Sequence, residues 1–162
     1  MDIYFAGTPN SAAEILKSLA SNDLFNIKGV ITQPDKKGKR GNQRIESPVS
    51  LMANSLNLHT YKPHNLIKEH IQNVIDINNA DILLVVAYGK LIPNWILESN
   101  IKAINIHYSI LPSYRGASPI QSSLLNNDKK TGVTFMQMSK DLDAGKIIKC
   151  FEIPISENDN KS

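Results

Sequence analysis

The sequence predicts an α/β fold with a doubly wound, mostly parallel sheet. Short apolar runs at residues 3–6, 27–32 and 81–87 have the length and the two-sided hydrophobicity of buried parallel strands. A helical stripe of apolar residues separates the first two runs, so this part of the chain forms a strand–helix–strand unit with a parallel pair. Strands and helices continue to alternate after it, which is typical of a parallel sheet.

Turn and capping signals position the elements of the first half. The first strand ends in the turn Gly7-Thr8-Pro9, which lacks the G-x-G-x-x-G pattern of a dinucleotide site. Ser11 and Glu14 have the spacing of a capping box and predict the start of the first helix. Ser47-Pro48 predicts the start of a second helix, and residues 58–61 predict a short strand.

The second half of the chain continues with elements of the same kinds. Its apolar spacing predicts helices over 66–75, from Pro93 and from Ser118-Pro119, and strands over 103–107, 131–138 and 147–155. Loops that contain glycine and proline follow the strands 81–87 and 103–107. We expect both loops at the carboxyl edge of the sheet, where α/β proteins bind ligands.

Length and composition restrict the class of protein. The 162 residues suit one domain, 1–162, and the single cysteine, Cys150, excludes an internal disulfide and a cysteine-based metal site. His59, His64 and His70 lack the spacing of metal ligands, so we expect no metal. No signal-peptide pattern and no apolar run of about 20 residues is found. These features predict a cytoplasmic protein without a membrane partner, and we expect a monomer.

The formal net charge of +3 is unevenly distributed along the chain. A loop after the second strand holds five cations and no acid between them, so the rest of the protein is mildly acidic. The five cations are Lys36, Lys37, Lys39, Arg40 and Arg44. Because the loop has no apolar face, we expect it to be mobile. Such a loop suits a phosphate backbone, where each contact releases counterions, and a solvated surface loop is the alternative.

The strand that ends near residue 107 carries the clearest candidate for chemistry. Alternation along a strand puts Asn105 and His107 on the same face, at the point where the strand stops. An amide can donate to a developing oxyanion, and an imidazole can donate there or move a proton. A nearby carboxylate would orient the imidazole, and Asp141 and Asp143 of a later turn are candidates. This set suits attack by an amine on an activated acyl carbonyl, whereas ordinary turn and capping roles are the alternative.

Several motifs together resemble one family. They are Asn105-Ile-His107, Ser109-Ile-Leu-Pro112-Ser-Tyr-Arg-Gly116, Thr131-Gly-Val-Thr-Phe-Met-Gln-Met138 and Leu142-Asp143-Ala-Gly145. In order and spacing they resemble the folate-dependent formyltransferases, and among these the methionyl-tRNA formyltransferases. Phe5-Ala-Gly-Thr-Pro9 and Thr32-Gln-Pro-Asp35 fit the same resemblance, which therefore runs along the whole chain. It implies a Rossmann-like formyltransferase fold.

The resemblance also implies a reaction. The formyl group of 10-formyltetrahydrofolate would pass to the α-amino group of methionyl initiator tRNA, in translation initiation. Asn105 and His107 would polarise the formyl oxygen, and Asp143 would orient His107 and help to move the amine proton. The separation of Asn105 and Asp143 matches that of the family's catalytic asparagine and aspartate, which favours Asp143 over Asp141 as the catalytic carboxylate.

The resemblance further implies two binding surfaces. The positions that match the family's folate-contacting loops are Ser109, Ile110, Leu111, Pro112, Tyr88, Gly89, Ile92 and Asp141. The loop after the second strand contacts the tRNA acceptor arm in the family, which implies RNA contacts from the five cations above. The cofactor expectation is thus 10-formyltetrahydrofolate as a co-substrate, and the partner expectation is initiator methionyl-tRNA.

The chain departs from the family's pattern in three places. Tyr108 stands where a smaller residue is usual, and Ile110 replaces a leucine. Family members also continue beyond the position of Ser162 with more of the catalytic domain and a β-barrel domain, so we expect this chain to be an N-terminal catalytic domain. Two alternatives remain open: a formyltransferase acting on an amino-sugar nucleotide or a glycinamide nucleotide, and an inactive folate- or RNA-binding fragment.

Overall fold

The computed structural model describes residues 1–38, 43–71, 76 and 79–160. They form two compact units, Met1–Ala103 and Ile104–Ser162. Two of the cations predicted to bind RNA, Lys39 and Arg40, lie outside the described residues, as does the end of the helix predicted over 66–75. None of the described helices is long and apolar enough to cross a membrane.

The first unit is built on parallel strands. Its elements are β1 (Asp2–Gly7), α1 (Asn10–Ala20), β2 (Asn26–Ile31), β3 (Lys36–Lys37), β4 (Arg44–Ile45), α2 (Pro48–Ser55), β5 (Thr60–Tyr61), α3 (Lys68–Ile71), β6 (Ile82–Val86) and α4 (Asn94–Leu97). The strand order is β5-β2-β1-β6, and each neighbouring pair is parallel. Strands β1 and β6 are buried along most of their length, with Phe5 and Leu83 fully covered, as the apolar runs predicted.

The helix starts of the first unit show one correct and one wrong prediction. Helix α2 begins as predicted: the hydroxyl of Ser47 accepts a hydrogen bond from the backbone N–H of Ser50 at 3.0 Å, and Pro48 is the first helical residue. The capping box at Ser11 is wrong, because α1 already begins at Asn10 and has no side-chain cap. The carbonyl of Pro9 accepts the N–H groups of Ala12 and Ala13 instead, which satisfies the first turn from the backbone.

The basic loop after β2 contains regular structure that the sequence did not predict. Strands β3 and β4 pair antiparallel, with Lys36 opposite Ile45 and Lys37 opposite Arg44. The N–H of Gly38 donates to the carbonyl of Gln43 at 2.8 Å and extends this pairing. We call residues 35–38 and 43–46 the basic hairpin. The prediction of a loop was wrong for these paired residues, because backbone pairing does not require an apolar face, while the mobility of the loop stays a prediction.

The second unit is antiparallel. It contains β7 (Lys102–His107, from Ile104 onward), α5 (Pro119–Leu125), β8 (Lys130–Gln137) and β9 (Ile147–Pro154). Strand β8 pairs antiparallel with both β7 and β9. The register sets Asn105 opposite Met136 and His107 opposite Thr134, at the end of β7. With three parallel strand pairs in the first unit, the predicted α/β fold with a mostly parallel sheet is confirmed.

Candidate active site

The three residues predicted to be catalytic lie together in the second unit. Nε2 of His107 is 3.1 Å from Oδ2 of Asp143, and the two side chains are only 7% and 8% exposed. Nδ2 of Asn105 donates to the other carboxylate oxygen of Asp143 at 3.4 Å. The Asp143 carboxylate therefore contacts the side chains of both Asn105 and His107. The alternation along β7 predicted that these two side chains lie on the same face of the strand.

The opposite edge of the His107 ring is held by a buried serine. Nδ1 of His107 is 3.0 Å from the hydroxyl oxygen of Ser109, a residue with no exposed surface. That hydroxyl donates its hydrogen to the backbone carbonyl of Ser113 at 2.7 Å. Because a hydroxyl has a single hydrogen, the Ser109 oxygen is left to accept from Nδ1. The ring is thus fixed from both sides.

Both nitrogens of the His107 ring face partners within the protein. Nδ1 donates to Ser109, while Nε2 faces two acceptors, the Asp143 carboxylate at 3.1 Å and the carbonyl of Gly116 at 3.3 Å.

A second buried hydroxyl braces the loop that carries Ser109. Oγ1 of Thr134, which is fully buried, donates to the carbonyl of Ser109 at 2.6 Å and accepts the N–H of Leu111 at 3.2 Å. Thr134 faces His107 across the β7–β8 pair, so one threonine ties the register of the sheet to the position of the histidine's partner. Sequence reasoning missed this role, because Thr134 appeared only as one residue of an alternating strand.

The position of Asp143 depends on its own backbone conformation and on two glycines, Gly145 and Gly116. Asp143 itself has φ +48°, and a Cβ at Gly145 would lie only 1.8 Å from the carbonyl oxygen of Gln137. The turn can therefore pack against the end of β8 only with glycine at 145. Gly116, at φ +100°, directs its N–H to Oδ2 of Asp143 at 2.8 Å. Gly145 and Gly116 thus hold the Asp143 carboxylate in place.

The positions expected to contact folate are divided between the two units. In the first unit, Tyr88 and Ile92 are buried, and the carbonyl of Tyr88 accepts the hydroxyl of Thr8 at 2.8 Å and the amide of Gln33 at 2.9 Å. Burial raises the pKa of Tyr88 to about 12. The adjacent Gly89 has φ +77°, so the loop turns sharply here.

In the second unit, the expected folate positions differ in exposure. Leu111 is buried, Ile110 is half-buried and Pro112 is exposed. Asp141 is exposed, and its carbonyl accepts the hydroxyl of Ser139 at 3.1 Å, as expected of a turn residue. Ser109 has its hydroxyl committed to contacts within the protein.

The described cations of the basic hairpin are on the surface. Lys36 and Lys37 form β3, Arg44 begins β4, and all three residues are exposed. Within the described part of the chain, no group of three or more histidine, cysteine, aspartate or glutamate side chains is placed to hold a metal ion.

A family model described as formyl transferase matches residues 1–162. The chain belongs to the formyl transferase family. This family uses 10-formyltetrahydrofolate as its co-substrate, so the co-substrate expectation is confirmed. The chain is thus a folate-dependent formyltransferase.

Solved structures share the fold. A phosphoribosylglycinamide formyltransferase from Anaplasma phagocytophilum is 24% identical over 99% of this chain and 75% of its own, with a TM-score of 0.78. Glycinamide ribonucleotide transformylase 1 from Geobacillus kaustophilus is 18% identical over 98% and 85%, with a TM-score of 0.77. The phosphoribosylglycinamide formyltransferase from Bacillus halodurans is 22% identical over 99% and 83%, with a TM-score of 0.72. The Rossmann-like formyltransferase fold is confirmed by these likenesses.

Proposed function

We propose that Asn105, His107 and Asp143 carry out the formyl transfer in this chain. The observation that supports this most directly is the buried contact of 3.1 Å between Nε2 of His107 and Oδ2 of Asp143, with Asn105 on the same carboxylate. A buried imidazole and an amide donor at one strand end suit an oxygen that becomes negatively charged during the reaction. The carboxylate beside them suits an amine that becomes positively charged and must lose a proton.

The proposed mechanism assigns one role to each side chain. The co-substrate supplies the formyl group when it is bound. The second amide hydrogen of Asn105 donates to the formyl oxygen as the acceptor amine attacks the formyl carbon. A hydrogen on Nε2 of His107 turns from the Gly116 carbonyl to the same oxygen, and both side chains so stabilise the oxyanion. Asp143 keeps His107 oriented and receives, directly or through water, the proton that the attacking amine releases. A proton returns to the folate nitrogen as its bond to the formyl carbon breaks, so charge and protons balance.

For the acceptor we propose the α-amino group of methionyl initiator tRNA. Two observations support it: the motif resemblance runs along the whole chain, and Lys36, Lys37 and Arg44 are exposed cations of the basic hairpin, with Lys37 directly opposite Arg44. Phosphate contacts supply most of the sequence-independent affinity in protein–nucleic acid complexes, and they require such clusters. Lys39 and Arg40 are proposed as further RNA contacts from the sequence.

A glycinamide nucleotide is the second acceptor candidate. The solved structures with the same fold are named phosphoribosylglycinamide formyltransferases and glycinamide ribonucleotide transformylases, and these names fit this alternative better than methionyl-tRNA. A glycinamide nucleotide also presents a primary amine and a phosphate, so the same three side chains would serve it. The acceptor must therefore be decided by experiment.

The test is a competition between acceptors. The chain is incubated with 10-formyltetrahydrofolate and equal concentrations of methionyl initiator tRNA, glycinamide ribonucleotide and an amino-sugar nucleotide, and each formylated product is quantified. Formyl-methionyl-tRNA as the main product, with a kcat/KM at least tenfold above the others, is the expected result. Preferential formylation of glycinamide ribonucleotide would overturn the tRNA proposal in favour of the second candidate. Folate binding without any transfer would support an inactive fragment.

The contribution of the hairpin cations is measured by the salt dependence of RNA binding. Replacing Lys36 and Lys37 by alanine removes two cations from the hairpin, so the slope of log K against log salt should become less steep by about one to two. The matched control is Lys17→Ala combined with Lys102→Ala, two exposed lysines outside the hairpin. An equal change in slope for both pairs would remove the basic hairpin from the RNA site.

A further inference from the structure

We propose that Lys62 is a positioning residue that holds both ends of the basic hairpin and thereby sets the affinity for an RNA acceptor. Nζ of Lys62 lies 2.6 Å from Oδ1 of Asp35 and 2.8 Å from Oε2 of Glu46. Asp35 directly precedes β3 and Glu46 directly follows β4. One ammonium group therefore joins the residue that enters the hairpin to the residue that leaves it. The acceptor part of this inference rests on the proposed function.

The Lys62 bridge is connected to the regular structure of the first unit. Oε2 of Glu46 also accepts the hydroxyl of Ser50 at 2.5 Å and the amide of Asn54 at 3.3 Å, both from α2. Lys62 itself directly follows β5, which pairs with β2. The base of the hairpin is thus fixed to a helix on one side and to the sheet on the other.

A second contact joins the two ends of the segment that runs from β2 to α2 and contains the basic hairpin. The hydroxyls of Thr32 and Ser47 are 2.7 Å apart, with Thr32 fully buried at the end of β2 and Ser47 capping α2. This pair sets where the segment leaves and rejoins the body of the unit. It does not control the direction of the hairpin beyond that point, because β3 and β4 have only two residues each and an isolated two-stranded hairpin is at best marginally stable. The Lys62 bridge supplies the missing constraint.

The bridge also determines the charge that the hairpin presents. The carboxylates of Asp35 and Glu46 flank Lys36, Lys37 and Arg44 and would offset much of their attraction for phosphate. Lys62 provides a cation to both carboxylates, and the three side chains are only 27%, 18% and 34% exposed. Burial lowers the pKa of Lys62, but its hydrogen bonds to Asp35 and Glu46 outweigh burial and raise that pKa overall, while the hydrogen bond from Lys62 lowers the pKa of Glu46. Without Lys62 the two carboxylates repel one another and weaken phosphate binding.

The experiment compares Lys62→Met with Lys62→Arg and with Lys17→Met, the same substitution at an exposed lysine of α1. Two kinds of quantity are measured: amide hydrogen exchange over residues 36–38 and 43–45, and KM and kcat for methionyl initiator tRNA and for glycinamide ribonucleotide. For Lys62→Met we expect exchange at least tenfold faster in the hairpin and a KM for the tRNA raised about tenfold. We expect kcat and the KM for the small nucleotide to stay within twofold, and Lys62→Arg and Lys17→Met to resemble the unaltered chain.

Each outcome decides one part of the inference. Unchanged hairpin exchange in Lys62→Met would overturn the positioning role, and equal increases of KM for both acceptors would overturn the link to RNA. If the unaltered chain formylates no tRNA, the proposed acceptor fails and the link to RNA fails with it, while hydrogen exchange still decides whether Lys62 holds the hairpin. Glu46→Gln, which keeps contacts to α2 and loses one charge, gives a milder second variant with an expected intermediate increase in exchange.

Discussion

The hydroxyl of Ser109 lies 3.0 Å from Nδ1 of His107 and donates its own hydrogen to the carbonyl of Ser113. This arrangement fixes the histidine ring on the side opposite Asp143 and requires Nδ1 to carry a hydrogen. The hydroxyl of Ser109 therefore positions His107, while a contact between Ser109 and folate stays a prediction. The two halves of the sequence motif, Asn105-Ile-His107 and the serine two residues later, form one structural unit.

Ser109→Ala tests that positioning role. The substitution leaves Nδ1–H of a buried ring without its acceptor, at a cost of about 1–3 kcal/mol. Since the ring can then rotate away from Asp143, we expect kcat to fall at least tenfold while the dissociation constant of the folate changes less than threefold. The control is Ser113→Ala, because this exposed residue contacts Ser109 through its backbone carbonyl, which the substitution keeps. Equal losses in both variants, or an unchanged kcat in Ser109→Ala, would contradict the role.

Thr134→Val tests the brace between β8 and the Ser109 loop. Valine has nearly the same shape but no hydroxyl, so the carbonyl of Ser109 and the N–H of Leu111 lose a buried partner. We expect the free energy of unfolding to fall by about 2–4 kcal/mol, measured by urea denaturation, with a loss of kcat. Thr134→Ser keeps the hydroxyl and should recover most of the lost kcat. If the serine variant is as impaired as the valine variant, the methyl group and not the hydroxyl is what matters.

The buried phenol of Tyr88 should make the free energy of unfolding depend on pH in the alkaline range. Its phenol is 1% exposed, its hydroxyl has no hydrogen-bond partner among the described residues, and burial raises its pKa to about 12. An unfolded chain releases this proton near pH 10. Between about pH 10 and about pH 12 the folded state therefore binds more protons than the unfolded state, so stability falls as pH rises through this window.

Tyr88→Phe removes the titrating group and keeps the ring. At pH 7 we expect the free energy of unfolding to be unchanged or slightly higher, because an unpartnered hydroxyl leaves the core. Above pH 10 the variant should lose less stability than the unaltered chain, by about 1.4 kcal/mol at pH 11. Urea denaturation at pH 7, 10 and 11 measures both effects. A weaker folate affinity in Tyr88→Phe would show instead that the hydroxyl binds the co-substrate.

The sequence predicted local features of the fold well. The alternation that puts Asn105 and His107 on one face, the Ser47 cap and the short strand before Lys62 are all set by neighbouring residues, and the structure contains them. The capping box at Ser11 failed because α1 begins one residue earlier, at Asn10, and the carbonyl of Pro9 accepts the N–H groups of Ala12 and Ala13 in the first turn.

What the sequence could not predict depends on contacts between distant residues. The brace from Thr134 requires the β7–β8 register, and the bridge from Lys62 requires β5 to lie beside β2. The need for Gly145 follows only from the path of the carbonyl of Gln137. Asp143 could be distinguished from Asp141 by the family resemblance alone, because the two residues look alike in a turn. The structure separates them: Asp143 contacts His107, while Asp141 is exposed.

The central claim, that His107 and its carboxylate partner perform formyl transfer, is tested most directly by single-turnover kinetics. Transfer from 10-formyltetrahydrofolate to the preferred acceptor is measured for the unaltered chain, His107→Ala and Asp143→Asn, together with the folate dissociation constant. We predict that each substitution lowers the transfer rate at least 100-fold and changes folate affinity less than threefold. Transfer rates within threefold of the unaltered chain, or losses confined to folate affinity, would contradict the account.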